Sequence, residues 1–179
     1  MHGLASSLAE RGVGPGDRVA LALSPSAEGV AALLAVLGRG AVCLPLDPAY
    51  PAQRLEFMLA DAGASLLIAD CRPGWPLPPE VPVLELADFD WPAGAADAVI
   101  DVDPSAPAAL LYTSGSSGQP KGAFTLHRGA VNRCRWMWQA YALGADEVFC
   151  LRTSFNFIDS LWEIAGALGS GARLFIPPP

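Results

Sequence analysis

The chain has 179 residues, 18 acidic and 11 basic, for a formal net charge of −7. With 52% apolar and 16% charged residues it is no disordered chain, and its length lets it bury roughly 70% of its unfolded surface without a disulfide or metal staple. The acidic balance argues against nucleic acid as a partner, which would need excess Lys and Arg to displace counterions.

Leu4 and Leu8, with residues 10–12, read as a helix tail ending in glycine. Residues 14–17 are a turn, and 18–23 a short apolar strand. Ser24 and Ser26 offer N-caps, after which Val30, Leu33, Leu34 and Leu37 recur at helical spacing until Gly38 and Gly40. Residues 41–46 form a second apolar strand. Pro51 suits the first turn of another helix, with Leu55, Met58 and Leu59 as its buried stripe and Gly63 as its stop. Residues 64–69 form a third strand. Near-continuous apolar strands alternating with helices predict an α/β fold, a doubly wound, mostly parallel sheet with flanking helices.

Residues 71–107 differ: they are proline-rich, acidic and weakly periodic, with one short strand at 81–86, and read as a solvated surface excursion. The pattern resumes with strands at 108–112 and 123–127, a helix at 130–141, a strand at 147–151, a helix at 160–168 and a central-looking strand at 172–176. Three segments follow: an α/β segment 1–70, the excursion 71–107, and 108–179.

Residues 1–10 lack the basic and apolar regions of a signal peptide. The longest apolar run, 30–37, is far short of the ~20 residues of a membrane span. The expectation is a soluble cytoplasmic chain with no membrane partner. Cys43, Cys71, Cys134 and Cys150 form no CxxC and match no zinc module. Three lie in apolar stretches, so structural, reduced thiols are expected. His2 and His127 are too few for a His-based metal site, and His127 reads as structural.

The sharpest chemical signal is the loop after the 108–112 strand: Thr113, Ser114, Gly115, Ser116, Ser117, Gly118, Gln119, Pro120, Lys121, Gly122. Glycines permit close backbone approach, hydroxyls and free N–H groups donate to an anion, and the lysine adds a compact charge. These are the parts of a phosphate cradle. The loop is neither a Walker loop nor a dinucleotide GxGxxG, and the competing reading is a plain Gly/Ser linker. Two observations favour the cradle. Lys121 is the one lysine in the chain, and residues 104–145 carry Lys121, Arg128, Arg133 and Arg135 with no acid. That focuses positive field where a polyphosphate would bind, although Arg128, Arg133 and Arg135 can equally line a helix face, which leaves Lys121 as the credited ligand.

Residues 111–122 resemble the signature of the adenylate-forming superfamily, which includes acyl-CoA synthetases, luciferases and the adenylation domains of nonribosomal peptide synthetases. Residues 12–20 are similar to a stretch near the start of such domains, 35–51 to the peptide-synthetase version, 127–132 to the segment after the loop, and 154–163 to the segment that opens the substrate pocket. The resemblance implies ATP and Mg2+, a carboxylic or amino acid activated as acyl-AMP, and transfer to the phosphopantetheine thiol of a carrier protein. It implies that Thr113, Ser114, Gly115, Ser116, Ser117, Gly118 and Lys121 close over the β- and γ-phosphates.

The chain departs from the pattern at the pocket mouth. Peptide-synthetase domains that load α-amino acids carry Phe-Asp-x-Ser, whereas this chain reads Phe157, Ile158, Asp159, Ser160. Three readings stay open: a substrate without the α-amino group at that point, an amine reached by Asp159 through a shifted backbone, or Asp159 as a cap of the helix opening near Ser160. The family's adenine and ribose motifs, metal-coordinating acid and second functional lysine fall beyond these motifs. The expectation is therefore the N-terminal part of an adenylation domain, incomplete for catalysis alone. The alternatives are a non-catalytic assembly module complementing a separate C-terminal half, and an acyl- or aryl-CoA ligase fragment.

Overall fold

A computed structural model describes residues 1–91, 99–114 and 119–178. In chain order the elements are α1 (His2–Glu10), β1 (Arg18–Ala22), α2 (Ala27–Gly38), β2 (Val42–Pro45), α3 (Ala52–Ala62), β3 (Leu66–Ala69), β4 (Val83–Glu85), β5 (Pro107–Ser114), β6 (Pro120–Leu126), α4 (His127–Tyr141), β7 (Val148–Cys150), α5 (Ile158–Ser170) and β8 (Arg173–Phe175).

Six strands form one sheet in the order β4-β3-β1-β2-β5-β6. β4, β3, β1, β2 and β5 pair in parallel, and β6 returns antiparallel along β5. Alternation sorts the side chains onto two faces. Val19 and Leu21 meet Leu4, Leu8, Leu33, Val36, Leu161 and Ile164 on the face covered by α1, α2 and α5. Ala20 and Ala22 meet Leu55, Met58 and Leu59 of α3 on the other. Both faces are covered, which is why β1, β2 and β3 are buried almost end to end.

Ser26 caps α2 as its spacing predicts, its Oγ accepting from the Gly29 N–H at 2.9 Å. α4 packs on α5 through Trp138, whose Nε1 donates to the Gly166 carbonyl at 2.8 Å.

Three expectations need correction. The excursion is not simply solvated: Val81, Leu84 and Leu86 are buried, β4 pairs with β3, and Val99 and Ile100 pack against Gly38 and Gly40. The 172–176 strand is not central among the described residues: there β8 pairs with β7 alone in a two-stranded sheet, and its residues Arg173 and Phe175 are exposed. Of the cysteines, Cys43 and Cys134 are buried but Cys71 and Cys150 are exposed, so the apolar neighbours of Cys150 do not bury it. All four are free thiols. No helix among the described residues is long and apolar enough to cross a membrane.

Candidate functional site

The β5–β6 hairpin carries the phosphate-loop candidates. Its register sets Ser114 opposite Pro120, Thr113 opposite Lys121, and Tyr112 opposite Gly122. The lysine therefore lies within strand β6, one rung from the hairpin end, rather than ahead of the strand. Thr113 Oγ1 donates to the Lys121 carbonyl at 3.5 Å. Lys121 is exposed and, among the described residues, has no ion-pair partner. Gly115, Ser116, Ser117 and Gly118 lie outside the described residues.

The hairpin is anchored from the α3 side. The Tyr112 hydroxyl donates to Asp61 Oδ2 at 2.6 Å, and its ring meets Phe57 edge-on at 6.5 Å. Burial, and then the Asp61 carboxylate, hold the Tyr112 phenol well above its usual value. The cross-strand partner Gly122 sits close to both: a Cβ there would stand 2.9 Å from Leu110 Cδ1 and 3.4 Å from Tyr112 Cζ, so a larger residue would require the Leu110 side chain to shift.

The second candidate group opens α5. Phe157 is the N-cap residue, and Ile158 and Asp159 begin the helix. Phe157 is 62% and Ile158 40% exposed. Asp159 does not cap the helix near Ser160, because the helix has already begun. Its Oδ1 instead accepts from Trp162 Nε1 at 2.8 Å. Ser160 is fully buried and donates through Oγ back to the Phe157 carbonyl at 2.8 Å.

The segment before α5 is held at three points. Glu163, 9% exposed, accepts from the Arg152 and Thr153 N–H groups at 3.0 and 3.1 Å and from Thr153 Oγ1 at 2.7 Å. Phe155 is buried against the start of α2, where a Cβ on Gly29 would come within 3.1 Å of its ring. Asn156, oriented by its hydrogen-bond pattern, donates to the Pro45 carbonyl at 2.8 Å and accepts from the Asp47 N–H at 3.3 Å. Phe157 and Ile158 are thus presented from a braced segment rather than a loose loop.

The structure does not join the two groups directly: no hydrogen bond among the described residues links the hairpin to residues 152–159. What they share is position. β1, β2 and β5 end at Ala22, Pro45 and Ser114, and the braced segment is tied to the end of β2. Ligands of open α/β sheets bind outside these carboxyl ends.

Glu163, Asn156 and Asp61 are not among the site residues that the sequence motifs single out. Glu163 carries a signal, since one carboxylate between Leu161 and Ile164 on an apolar helix face must find donors. Asp61 and Asn156 carry none, because their partners are distant in the chain.

A mostly parallel sheet covered on both faces, with a hydroxyl–lysine hairpin beyond the carboxyl end of β5, defines an open α/β class of the kind whose ligands bind at those strand ends. The chain belongs to the AMP-binding enzyme family, which matches residues 1–179. It is 37% identical over 187 residues to a dimodular nonribosomal peptide synthase of Bacillus subtilis (strain 168), covering 98% of this chain and 8% of that protein. An AMPPNP-bound form of the nonribosomal peptide synthetase FmoA3 superposes with a TM-score of 0.87 at 32% identity, over 99% of this chain and 19% of that one. NpsA-ThdA, an artificially fused Adenylation-PCP di-domain from Klebsiella oxytoca, superposes with a TM-score of 0.85 at 30% identity, over 99% of this chain and 36% of that one. The chain thus spans a small part of the relatives it matches.

Proposed function

We propose that this chain supplies the phosphate-loop part of an adenylation domain that activates a carboxylic or amino acid as acyl-AMP and passes it to a carrier-protein thiol. The observation that carries this reading is the Thr113–Lys121 rung at the carboxyl end of β5, which sets an exposed lysine and an exposed hydroxyl residue opposite each other on neighbouring strands. Thr113, Ser114 and Lys121, with Gly115, Ser116, Ser117 and Gly118 between them in sequence, bind the β- and γ-phosphates of ATP. Lys121 neutralises charge that builds on the leaving pyrophosphate as the substrate carboxylate attacks the α-phosphate. The AMPPNP-bound relative supports ATP as the nucleotide, and the artificially fused Adenylation-PCP di-domain supports a carrier protein as partner; its phosphopantetheine thiol as acceptor is what the family resemblance implies.

Mg2+ arrives with ATP in this reading. Among the described residues no group of three or more His, Cys, Asp or Glu side chains could hold a metal, so no step is assigned to a metal held by this chain. Phe157 and Ile158 contribute to the mouth of the acid pocket. Ile158 offers no carboxylate to a substrate ammonium, and Asp159 is engaged by Trp162. Both points favour an acid without an α-amino group at that position, which keeps the aryl- or acyl-CoA ligase alternative open. The assembly-module alternative draws on exposed apolar side chains of α4 and β8, Trp136, Tyr141 and Phe175.

The test is ATP–pyrophosphate exchange in the protein that carries this chain. Lys121→Ala should lower exchange by about 100-fold, the scale of one lost transition-state charge contact, with an unchanged melting temperature because the side chain is exposed. Undiminished exchange would refute the loop assignment. The isolated 179-residue chain should show no exchange.

A further inference from the structure

The α3 side of the hairpin holds a cation that this reading leaves unused. Arg54 lies in the first turn of α3. Its guanidinium sits over the Tyr50 ring, 4.0 Å from the centroid, and its Nε is buried without a hydrogen-bond partner. Among the described residues it has no ion-pair partner either. A guanidinium carries five donors in a rigid fork suited to carboxylate or phosphate, and Arg54 is half-buried with one of them, the Nε–H, buried without an acceptor, which is costly.

The space beside Arg54 has the lining that such a donor needs. A groove of about 370 Å³ is bordered by Gln53, Arg54, Phe57, Ser114, Gln119 and Pro120. Among the described residues no carboxylate lines it. Ser114 and Pro120 form one rung of the hairpin, so the groove reaches the hairpin end from the α3 side. α3 has no acid in its first turn and no side-chain N-cap. Its amide dipoles therefore add positive potential at the same end.

We propose that this groove is a second seat for a phosphate-class oxyanion, gripped by the Arg54 guanidinium with Gln53, Ser114 and Gln119 as neutral donors. It deepens the proposed function and rests on that reading. Leu110 and Tyr112 face α3, whereas Ala109 and Leu111 face α2. By strand alternation Ser114 continues the α3 face and Thr113 the opposite one, with its cross-strand partner Lys121. Arg54 and Lys121 thus approach the hairpin end from its two sides. Arg54 takes phosphate charge that Lys121 does not hold, either the terminal phosphate of bound ATP or the pyrophosphate once released.

Calorimetric titration of inorganic pyrophosphate, and separately of AMPPNP, tests this in the protein that carries the chain. Arg54→Gln removes the charge. Gln53→Glu sets a carboxylate at the groove wall, and it carries the test if Arg54→Gln does not fold. Each should weaken pyrophosphate binding by about tenfold or more, the loss typical of a charge-assisted contact. Parallel weakening of AMPPNP places the terminal phosphate of ATP in the seat, and selective loss of pyrophosphate places the released product there. Wild-type affinity for both ligands in both variants overturns the seat. Lys121→Ala is read alongside: if it keeps wild-type AMPPNP affinity, the loop reading fails, whatever the Arg54 result.

Discussion

Tyr112 and Asp61, 51 positions apart, are joined by a 2.6 Å hydrogen bond that ties the root of the candidate phosphate hairpin to the last turn of α3. Tyr112→Phe removes the donor and leaves the exposed carboxylate to water. The expected loss is about 1 kcal/mol by urea unfolding, the size of an ordinary hydrogen bond rather than of a stranded buried group. The pair also has a pH signature. The folded phenol lies above its unfolded value, so its contribution is fully present below about pH 10 and falls as pH rises beyond that. Tyr112→Phe should flatten this alkaline decline. Parallel wild-type and variant curves there would mean that the bond does not persist in solution.

Glu163 holds two backbone N–H groups and a hydroxyl at the entry to α5. Glu163→Ala strands these donors and should cost about 3 kcal/mol in thermal or urea unfolding. Glu163→Gln keeps an acceptor and should cost about 1 kcal/mol. Hydrogen exchange at the Arg152 and Thr153 amides should accelerate in the alanine variant first. Equal stability of the two variants would show that the carboxylate does not brace the segment.

Gly29 stands where α2 begins and Phe155 packs. A Cβ there would come within 2.8 Å of the Ser24 carbonyl and 3.2 Å of the capping Ser26 Oγ. Since the Ser24 carbonyl is backbone, relief must come from shifting either the α2 N-terminus or the braced segment. Gly29→Ala should destabilise the fold by about 1–3 kcal/mol despite its better helix propensity. A stabilised variant would mean that the α2 entry is looser than described.

His127 opens α4, with its Nε2 buried and without a hydrogen-bond partner. Burial holds the imidazole below its usual value. The unfolded chain then binds the proton more readily, so stability falls as pH drops below about 6.5. His127→Phe, which cannot titrate, should flatten that acid limb between about pH 7 and 5. An unchanged slope would assign the acid sensitivity to carboxylates instead.

Much of the frame was legible from local pattern. Val30, Leu33 and Leu37 announce α2 by spacing, Ser26 announces its cap, and the uninterrupted apolar run 66–69 announces a strand covered on both faces. The 172–176 run misled because a short apolar stretch reports strand tendency but not which sheet receives it. At Asp159 the sequence leaves three readings open; the cap reading falls because α5 has already begun at Ile158, and the carboxylate accepts from Trp162 instead.

The sequence by itself determined the element order, the Ser26 cap and the make-up of the Gly/Ser/Lys hairpin loop, since propensity, turn residues and the rare lysine act over a few positions. The tertiary structure alone decided that Lys121 sits inside a strand opposite Thr113, that Asp61 anchors Tyr112, that Asn156 ties the pocket mouth to the end of β2, and that Arg54 borders the same hairpin from its other side. These relationships depend on strand register and on which face each helix covers. Register and face are settled by packing between segments far apart in the chain, which no local pattern encodes.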